Sequence, residues 1–149
     1  MSDPVLIDHR VEDDVAYLQL NNPPVNIMSA ALMDRMSDIL ATIAADTSLK
    51  AVAVTGAGKA FCAGADVGEH RPEQAPAMIA SFGRLFRALD ALEVPVVMAV
   101  GGAAMGAGFE LILMADILLA SGAAVFAQPE IRLGFFAPVG VVELPALVG

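Results

Sequence analysis

The segment 94–127 constrains the fold most, because nearly all of its residues are apolar or small. An apolar run longer than about 18 residues is typical of a transmembrane helix. Here Pro95, Glu110, Asp116 and five glycines interrupt the run, and no asymmetry of Lys and Arg flanks it. The sequence therefore favours the interior of an α/β domain, where strands and helices are covered on both faces.

Length and composition exclude several classes of protein. A chain of 149 residues is one ordinary domain, able to bury roughly 68–70% of its unfolded surface. Eight basic against 17 acidic residues give a net charge of −9, which argues against nucleic acid as a partner. The lone Cys62 can form neither an internal disulfide nor a zinc cluster, so we expect no metal site. The first residues lack the pattern of a signal peptide, and we expect a cytoplasmic protein without a membrane segment.

Hydrophobic periodicity predicts elements in the order β-β-α-β-α-β-α-β-β, an α/β arrangement with crossover connections. Ser29 is the expected N-cap of a first helix running to about Ala45, and further helices are predicted over 76–92 and from about Gly106 to Ala115. Ile79, Phe82, Phe86 and Leu89 make the apolar stripe predicted to be buried in the second of these helices. The predicted strands are Val5–Ile7, Val15–Leu20, Ala51–Thr55, Val96–Val100, Ile117–Ala120 and Val125–Ala127.

Two segments rich in glycine and alanine follow predicted strands. In the first, 55–66, Gly56 and Gly58 resemble the start of a dinucleotide loop, but Phe61 stands where the third glycine is required. In the second, 101–110, small residues lead into a helix, whose N-terminal N–H groups can bind a carboxylate, a phosphate or a developing oxyanion. The alternative is that small residues are needed only for close packing of a helix against a strand.

Two glutamates lie in apolar surroundings. Glu110 is one turn inside an apolar helix, and Glu130 follows a strand that we predict to be buried. A carboxylate in such a setting is costly unless it is paired or used, and burial raises its pKa toward values that suit proton transfer. Alternatively, each could be a solvated charge or a cap for neighbouring backbone. Together, near a helix terminus, the pair indicates acid–base chemistry.

Three segments resemble motifs of the crotonase family, the enoyl-CoA hydratase/isomerase superfamily. Phe61–Asp66 reads F-C-A-G-A-D, Gly102–Leu111 resembles the second motif of the family, and Phe126–Gly134 resembles the third. Asp116 also lies where the family carries an aspartate. Because the motifs occur in order and with the family's spacing, the resemblance covers the whole chain. It implies a crotonase-like spiral of repeated β-β-α units.

The resemblance also implies a site for an acyl-CoA thioester. Two backbone N–H groups, by position those of Ala63 and Ala107, would form an oxyanion hole for the thioester carbonyl. The family most often has glycine at position 107, but only the N–H is needed. The rest of the first motif would belong to the substrate-binding loop: Gly64, Ala65 and Asp66. No separate cofactor is expected, since coenzyme A is part of the substrate.

Hydratases of the family use two glutamates, and Glu110 and Glu130 match both. The resemblance implies that Glu110 orients and deprotonates water, while Glu130 exchanges the proton at the α-carbon. This favours a hydratase that acts on an enoyl- or dienoyl-CoA. An isomerase or hydrolase of the same superfamily, or an inactive fragment that binds CoA, are the alternatives.

The chain departs from the family in two respects. The loop 134–142 carries Phe135 and Phe136 and is bulkier than usual, which resembles the branch that hydrates cyclohexa-1,5-diene-1-carbonyl-CoA. Family members also usually continue into C-terminal helices that close the acyl pocket and build a trimer. We therefore expect residues 1–149 to be the N-terminal core domain, truncated before that region, and the complete protein to be a homo-oligomer, a trimer or hexamer.

Overall fold

A computed structural model describes residues 6–149, which form two β-sheets with helices between their strands. The strands are β1 (Ile7–Glu12), β2 (Val15–Leu20), β3 (Ala51–Gly56), β4 (Ala60–Cys62), β5 (Val96–Val100), β6 (Ala103–Met105), β7 (Ile117–Ala120) and β8 (Val125–Ala127). The α-helices are α1 (Ala30–Ala45), α2 (Ala75–Asp90), α3 (Ala107–Ile112) and α4 (Gly140–Val148). Two 3₁₀ turns cover Val67–His70 and Pro129–Leu133.

The larger sheet has the strand order β1-β2-β3-β5-β7, and the smaller sheet has the order β4-β6-β8. Strands β1 and β2 form an antiparallel hairpin, whereas all other pairs in both sheets are parallel. Asp13 and Asp14, both at positive φ, form the two-residue hairpin turn, as a primed turn between twisted strands requires. Parallel strands need crossover connections, and α1 and α2 provide two of them.

Helix α1 shows how the sequence sets this core. The Ser29 hydroxyl accepts a hydrogen bond from the Leu32 N–H at 3.3 Å, so the N-cap prediction is confirmed, and the helix ends at Ala45 as expected. Its apolar stripe packs on the larger sheet and on α2, and the buried apolar side chains of α1 are Leu32, Met33, Met36, Ile39, Leu40 and Ile43.

Several boundaries differ from the predictions. The first strand runs through the polar stretch to Glu12, because pairing with β2 supplies backbone hydrogen bonds that hydropathy does not register; Val5 lies outside the described residues. Helix α3 ends at Ile112 rather than near Ala115. The sequence did not reveal β4 and β6, which are only three residues long and rich in small side chains, nor α4 and the two 3₁₀ turns.

The last third of the chain is more exposed than its hydropathy indicates. Every residue of β7 and β8 is exposed, although β8 was predicted to be buried, and Gly140 is the one buried residue of α4. These strands pair along their edges, but no described element covers their apolar side chains. Within residues 6–149, no helix is both long and apolar enough to cross a membrane.

Candidate active site

A cavity of about 420 Å³ lies beside the carboxyl ends of the small parallel sheet. Three segments contribute to its lining: residues 63–65 after β4, Gly106, Ala107 and Glu110 after β6, and Pro129 and Glu130 after β8. Parallel strands point their carboxyl ends to the same edge, where ligands bind in open α/β sheets. The topology therefore brings the three sequence motifs together.

Glycines allow these segments to approach one another closely. A Cβ on Gly108 would lie 2.7 Å from the Cβ of Cys62, so α3 can pack against β4 only without a side chain there. Gly64 has a φ of +107°, and a Cβ on it would lie 3.1 Å from the carbonyl oxygen of Met105. Close packing, the alternative considered for the second glycine-rich segment, is thus a real requirement at Gly108.

The structure also leaves backbone N–H groups free at the cavity. Met28 forms a parallel bridge with Ala65. In this bridge the N–H of Met28 donates to the carbonyl of Gly64, and the carbonyl of Met28 accepts from the N–H of Asp66. The N–H of Ala65 therefore points away from this bridge, and it has no acceptor among residues 6–149. The N–H of Ala107, at the start of α3, likewise has none in this part of the chain. Both residues line the cavity.

The Ala63 N–H, in contrast, donates to the carbonyl of Val25 at 3.0 Å. It is therefore not free to bind a ligand, which corrects the prediction for that donor. The reason is that the extended chain around Ala63 pairs with the loop before α1. In an extended chain successive N–H groups alternate in direction, and that of Ala63 points toward this loop. The free N–H belongs to Ala65, two residues later.

Glu110 is buried, with 2% of its surface exposed. Its Oε1 accepts hydrogen bonds from the N–H groups of Val139 and Gly140, at 2.7 and 2.9 Å. Burial raises the pKa of Glu110, the two N–H groups oppose that rise, and the nearby charge of Glu130 adds to it. The carboxylate is thus held in one orientation inside the cavity wall, with its basicity increased.

Glu130 lines the same cavity from the 3₁₀ turn after β8. Its Oε2 is buried and has no hydrogen-bond partner among the described residues. Its Oε1 lies 3.0 Å from the position that a Cβ on Gly106 would occupy. Because a buried oxygen without a partner costs about 1–3 kcal/mol, an atom left in this state is typical of a functional site.

Asp66, Asp116 and Cys62, the other acidic and sulfur residues of the motifs, contribute to the structure of the chain rather than to the cavity. Asp66 does not line the cavity: its Oδ1 accepts the N–H of Gly68 at 2.8 Å and caps the turn Val67–His70. Asp116 accepts the N–H of Val96 at 2.7 Å and joins β7 to β5. Burial raises the pKa of the Cys62 thiol to about 11, which keeps it protonated and unreactive. Among residues 6–149, no group of three His, Cys, Asp or Glu side chains could hold a metal ion.

Two features of the site were missed by sequence reasoning. Asn26, buried at a φ of 56°, donates to the carbonyls of Ala57, Ala60 and Phe61 and so holds the chain around β4. Its only signal was its position in a turn segment with two prolines. The second feature is an apolar cavity wall that includes Ile79, which was predicted to be buried but is 62% exposed. The side chains of this wall include Val67, Met78, Ile79, Phe82, Leu133, Phe135 and Phe136.

Free N–H donors beside two carboxylates define a class of site that can stabilise an oxyanion and transfer protons. The enoyl-CoA hydratase/isomerase family matches residues 10–148. Cyclohexa-1,5-dienecarbonyl-CoA hydratase of Thauera aromatica is 35% identical over 99% of this chain and 57% of its own length. The short-chain-enoyl-CoA hydratase of Clostridium acetobutylicum is 38% identical over 93% of this chain and 55% of its own length.

Solved structures share the fold of this chain. DspI of Pseudomonas aeruginosa superposes with a TM-score of 0.93 at 30% identity, over the whole of this chain and 59% of its own. An enoyl-CoA hydratase of Bacillus anthracis gives a TM-score of 0.91 at 32% identity, over 97% of this chain and 58% of its own. The chain belongs to the enoyl-CoA hydratase/isomerase family, and its β-β-α units have the crotonase fold. It spans somewhat more than half the length of these relatives.

Proposed function

We propose that this chain carries the active site of a hydratase that adds water across the α,β double bond of an enoyl- or dienoyl-CoA thioester. One observation carries the proposal: Glu110 and Glu130 line a single cavity together with the free N–H groups of Ala65 and Ala107. The names of two relatives, both hydratases of CoA thioesters, support it.

In the proposed site, the thioester carbonyl oxygen accepts hydrogen bonds from Ala65 and Ala107. These N–H groups are fixed by the backbone before the reaction starts, so they stabilise charge that develops on the oxygen without reorganising. One such donor contributes about 2.7–4 kcal/mol in other enzymes. The donor after β4 is thus Ala65, in place of the Ala63 expected from the motif.

The two glutamates then move the protons. Glu110 accepts a proton from water as the water oxygen bonds to the β-carbon, and the electron pair of the double bond passes into the enolate. Glu130, whose Oε2 has no partner among the described residues, donates a proton to the α-carbon, and the enolate collapses to the β-hydroxyacyl thioester. Before the next turnover, Glu110 releases its proton to solvent and Glu130 takes one up from solvent, so both groups return to their starting states.

The apolar wall supports an acyl group that is bulky and unsaturated. Phe82, Phe135 and Phe136 present aromatic surface to the cavity, and such surface contributes strongly when it is buried against a ligand. A cyclic dienoyl group of the kind named for the Thauera aromatica relative has the planar shape that such a wall contacts well. We therefore include cyclic dienoyl thioesters among the proposed substrates.

The test is a panel of thioesters. The purified chain is incubated with crotonyl-CoA, a longer linear enoyl-CoA and cyclohexa-1,5-diene-1-carbonyl-CoA, and loss of the conjugated thioester absorbance is followed with mass analysis for added water. We expect hydration of at least one. Glu110→Gln and Glu130→Gln should each lose at least about 10²-fold in turnover, with acyl-CoA affinity changed far less. Glu93→Gln, exposed and outside the cavity, is the matched control.

The outcomes separate the alternatives. A shifted double bond without added water would mean an isomerase, and release of free CoA would mean a hydrolase. Binding of every thioester without turnover would mean a fragment that only binds CoA. Near-wild-type hydration by either glutamine variant would show that the assignment of the two glutamates is wrong.

A further inference from the structure

Three polar side chains line the cavity, and the proposed mechanism uses two of them, Glu110 and Glu130. The third is His70, the last residue of the 3₁₀ turn Val67–His70, which none of the three sequence motifs includes. Its side chain is half-buried, and its ring packs edge-on against Phe135, with the ring centres 5.6 Å apart. His70 therefore belongs to the apolar wall of the cavity.

The position of the ring proton follows from its hydrogen bond. Nδ1 of His70 lies 2.8 Å from the carbonyl oxygen of Asp66. Because a carbonyl oxygen can only accept, we assign the proton to Nδ1, and Nε2 of the neutral ring is then an acceptor. No other group among residues 6–149 forms a hydrogen bond with the His70 ring.

The ring is also held in place from both sides. Asp66 is fixed by its own bonds, since its N–H donates to Met28 and its Oδ1 accepts from Gly68. Phe135 packs on the ring from the loop after the second 3₁₀ turn. A fixed ring loses little side-chain entropy when a ligand binds to it, so its acceptor is preorganised.

We propose that His70 determines specificity by accepting a hydrogen bond, at Nε2, from a hydroxyl group on the acyl part of the substrate. An acceptor in an apolar wall discriminates, because an acyl group without a donor would cover it and leave it unpaired. The inference rests on the proposed function and adds to it a preference for acyl-CoA thioesters whose acyl group carries a hydroxyl.

Binding of thioesters that cannot react tests this inference. Cyclohexanecarbonyl-CoA and its 3-hydroxy and 4-hydroxy derivatives have saturated rings, so no hydration interferes, and their dissociation constants are measured by calorimetry. We expect the wild-type chain to bind one hydroxy derivative about 2- to 10-fold more tightly than the parent, the range for one net hydrogen bond. In His70→Phe that preference should disappear.

Two further variants sharpen the comparison. Val67→Ala removes apolar contact from the same wall and should weaken all three ligands by similar factors, with the preference retained. His70→Gln keeps an accepting oxygen and should retain part of the preference; it also provides the comparison if His70→Phe does not fold.

The results distinguish this inference from the proposed function. Equal affinity of the wild type for all three thioesters, or a preference that persists in His70→Phe, would overturn the role of His70 and leave the hydratase proposal intact. Failure of the wild type to bind any of the three would overturn the proposed acyl-CoA site, and the role of His70 with it.

Discussion

Two strands of the larger sheet differ sharply in burial: β2, which lies inside the sheet, and β7, which forms one of its edges. In β2, Leu18 and Leu20 are almost completely buried in the core, whereas in β7 Leu118 and Leu119 are 44% and 56% exposed. The cavity lies between these environments: Glu110 comes from the buried helix α3, while Glu130, Phe135 and Phe136 come from the exposed last third. The backbone that would hold the oxyanion is thus built on the core, whereas part of the wall that would contact the acyl group comes from the exposed last third and the rest from α2 and the turn before it.

The largest expected difference is in stability. Leu40→Ala, at a fully buried position of α1, should lower the free energy of unfolding by about 2–5 kcal/mol, because it removes buried methyl groups and leaves a cavity. Leu119→Ala, the same substitution on exposed β7, should change it by less than about 0.5 kcal/mol. Urea unfolding of both variants measures the contrast, and equal losses would show that β7 is as well covered as the core.

A matched pair of glycines tests the packing beneath the site. Gly108→Ala should destabilise the chain by about 1–3 kcal/mol, since a methyl group there would collide with Cys62. Gly122→Ala, with nothing within 4 Å of the added Cβ, should be neutral or stabilising by up to about 1 kcal/mol. Thermal unfolding compares the two variants. A stable Gly108→Ala protein would mean that α3 does not need its close approach to β4.

The pH dependence of stability should show the burial of Glu110. Its pKa is raised by burial, so the folded chain holds a proton that the unfolded chain has released at intermediate pH. That contribution is complete below the ordinary glutamate pKa of about 4.3 and is lost as pH rises through the raised value. Glu110→Gln should therefore gain stability relative to wild type with increasing pH.

Urea unfolding at several pH values, from about 4 to about 8, follows this difference. Glu93→Gln, at an exposed position, is the control and should show no comparable trend. A difference between Glu110→Gln and wild type that grows on acidification would contradict the raised pKa.

The exposed apolar face of β7 should affect association rather than folding. Contiguous apolar patches above about 300–600 Å² are rare on monomers, and the net charge of −9 does not mask a local patch. We expect sedimentation to show self-association that increases with concentration and weakens in Leu118→Lys. Val11→Lys changes an exposed residue at the opposite edge of the sheet and should leave association unchanged. A monomer at every concentration would contradict this expectation.

The long helices and the apolar strands, including β7 and β8, were located correctly from the sequence, whereas the short strands rich in small residues were not. The Ser29 cap and the end of α1 at Ala45 agree with the prediction, because capping and helix periodicity act locally. The three-residue strands β4 and β6 form only through pairing with distant segments, and small residues give no alternation that reveals them.

In the site, too, the motifs predicted some features, whereas long-range contacts determine others. The motifs brought Glu110 and Glu130 to one cavity as expected. The choice between the N–H groups of Ala63 and Ala65 depends on the bridge to Met28, a long-range contact that the motif does not encode. The sequence did not single out His70 for a similar reason. Its position in the cavity wall is determined by its contacts with Asp66 and Phe135.

The proton path through Glu130 is the central claim, and hydration in heavy water tests it most directly. The best substrate of the panel is converted in D₂O, and the product is analysed by NMR and mass spectrometry. We predict one deuterium on the α-carbon and oxygen from solvent on the β-carbon, with both lost together in Glu130→Gln. Hydrated product without deuterium at the α-carbon, or Glu130→Gln that still forms deuterated product at the wild-type rate, would contradict the account.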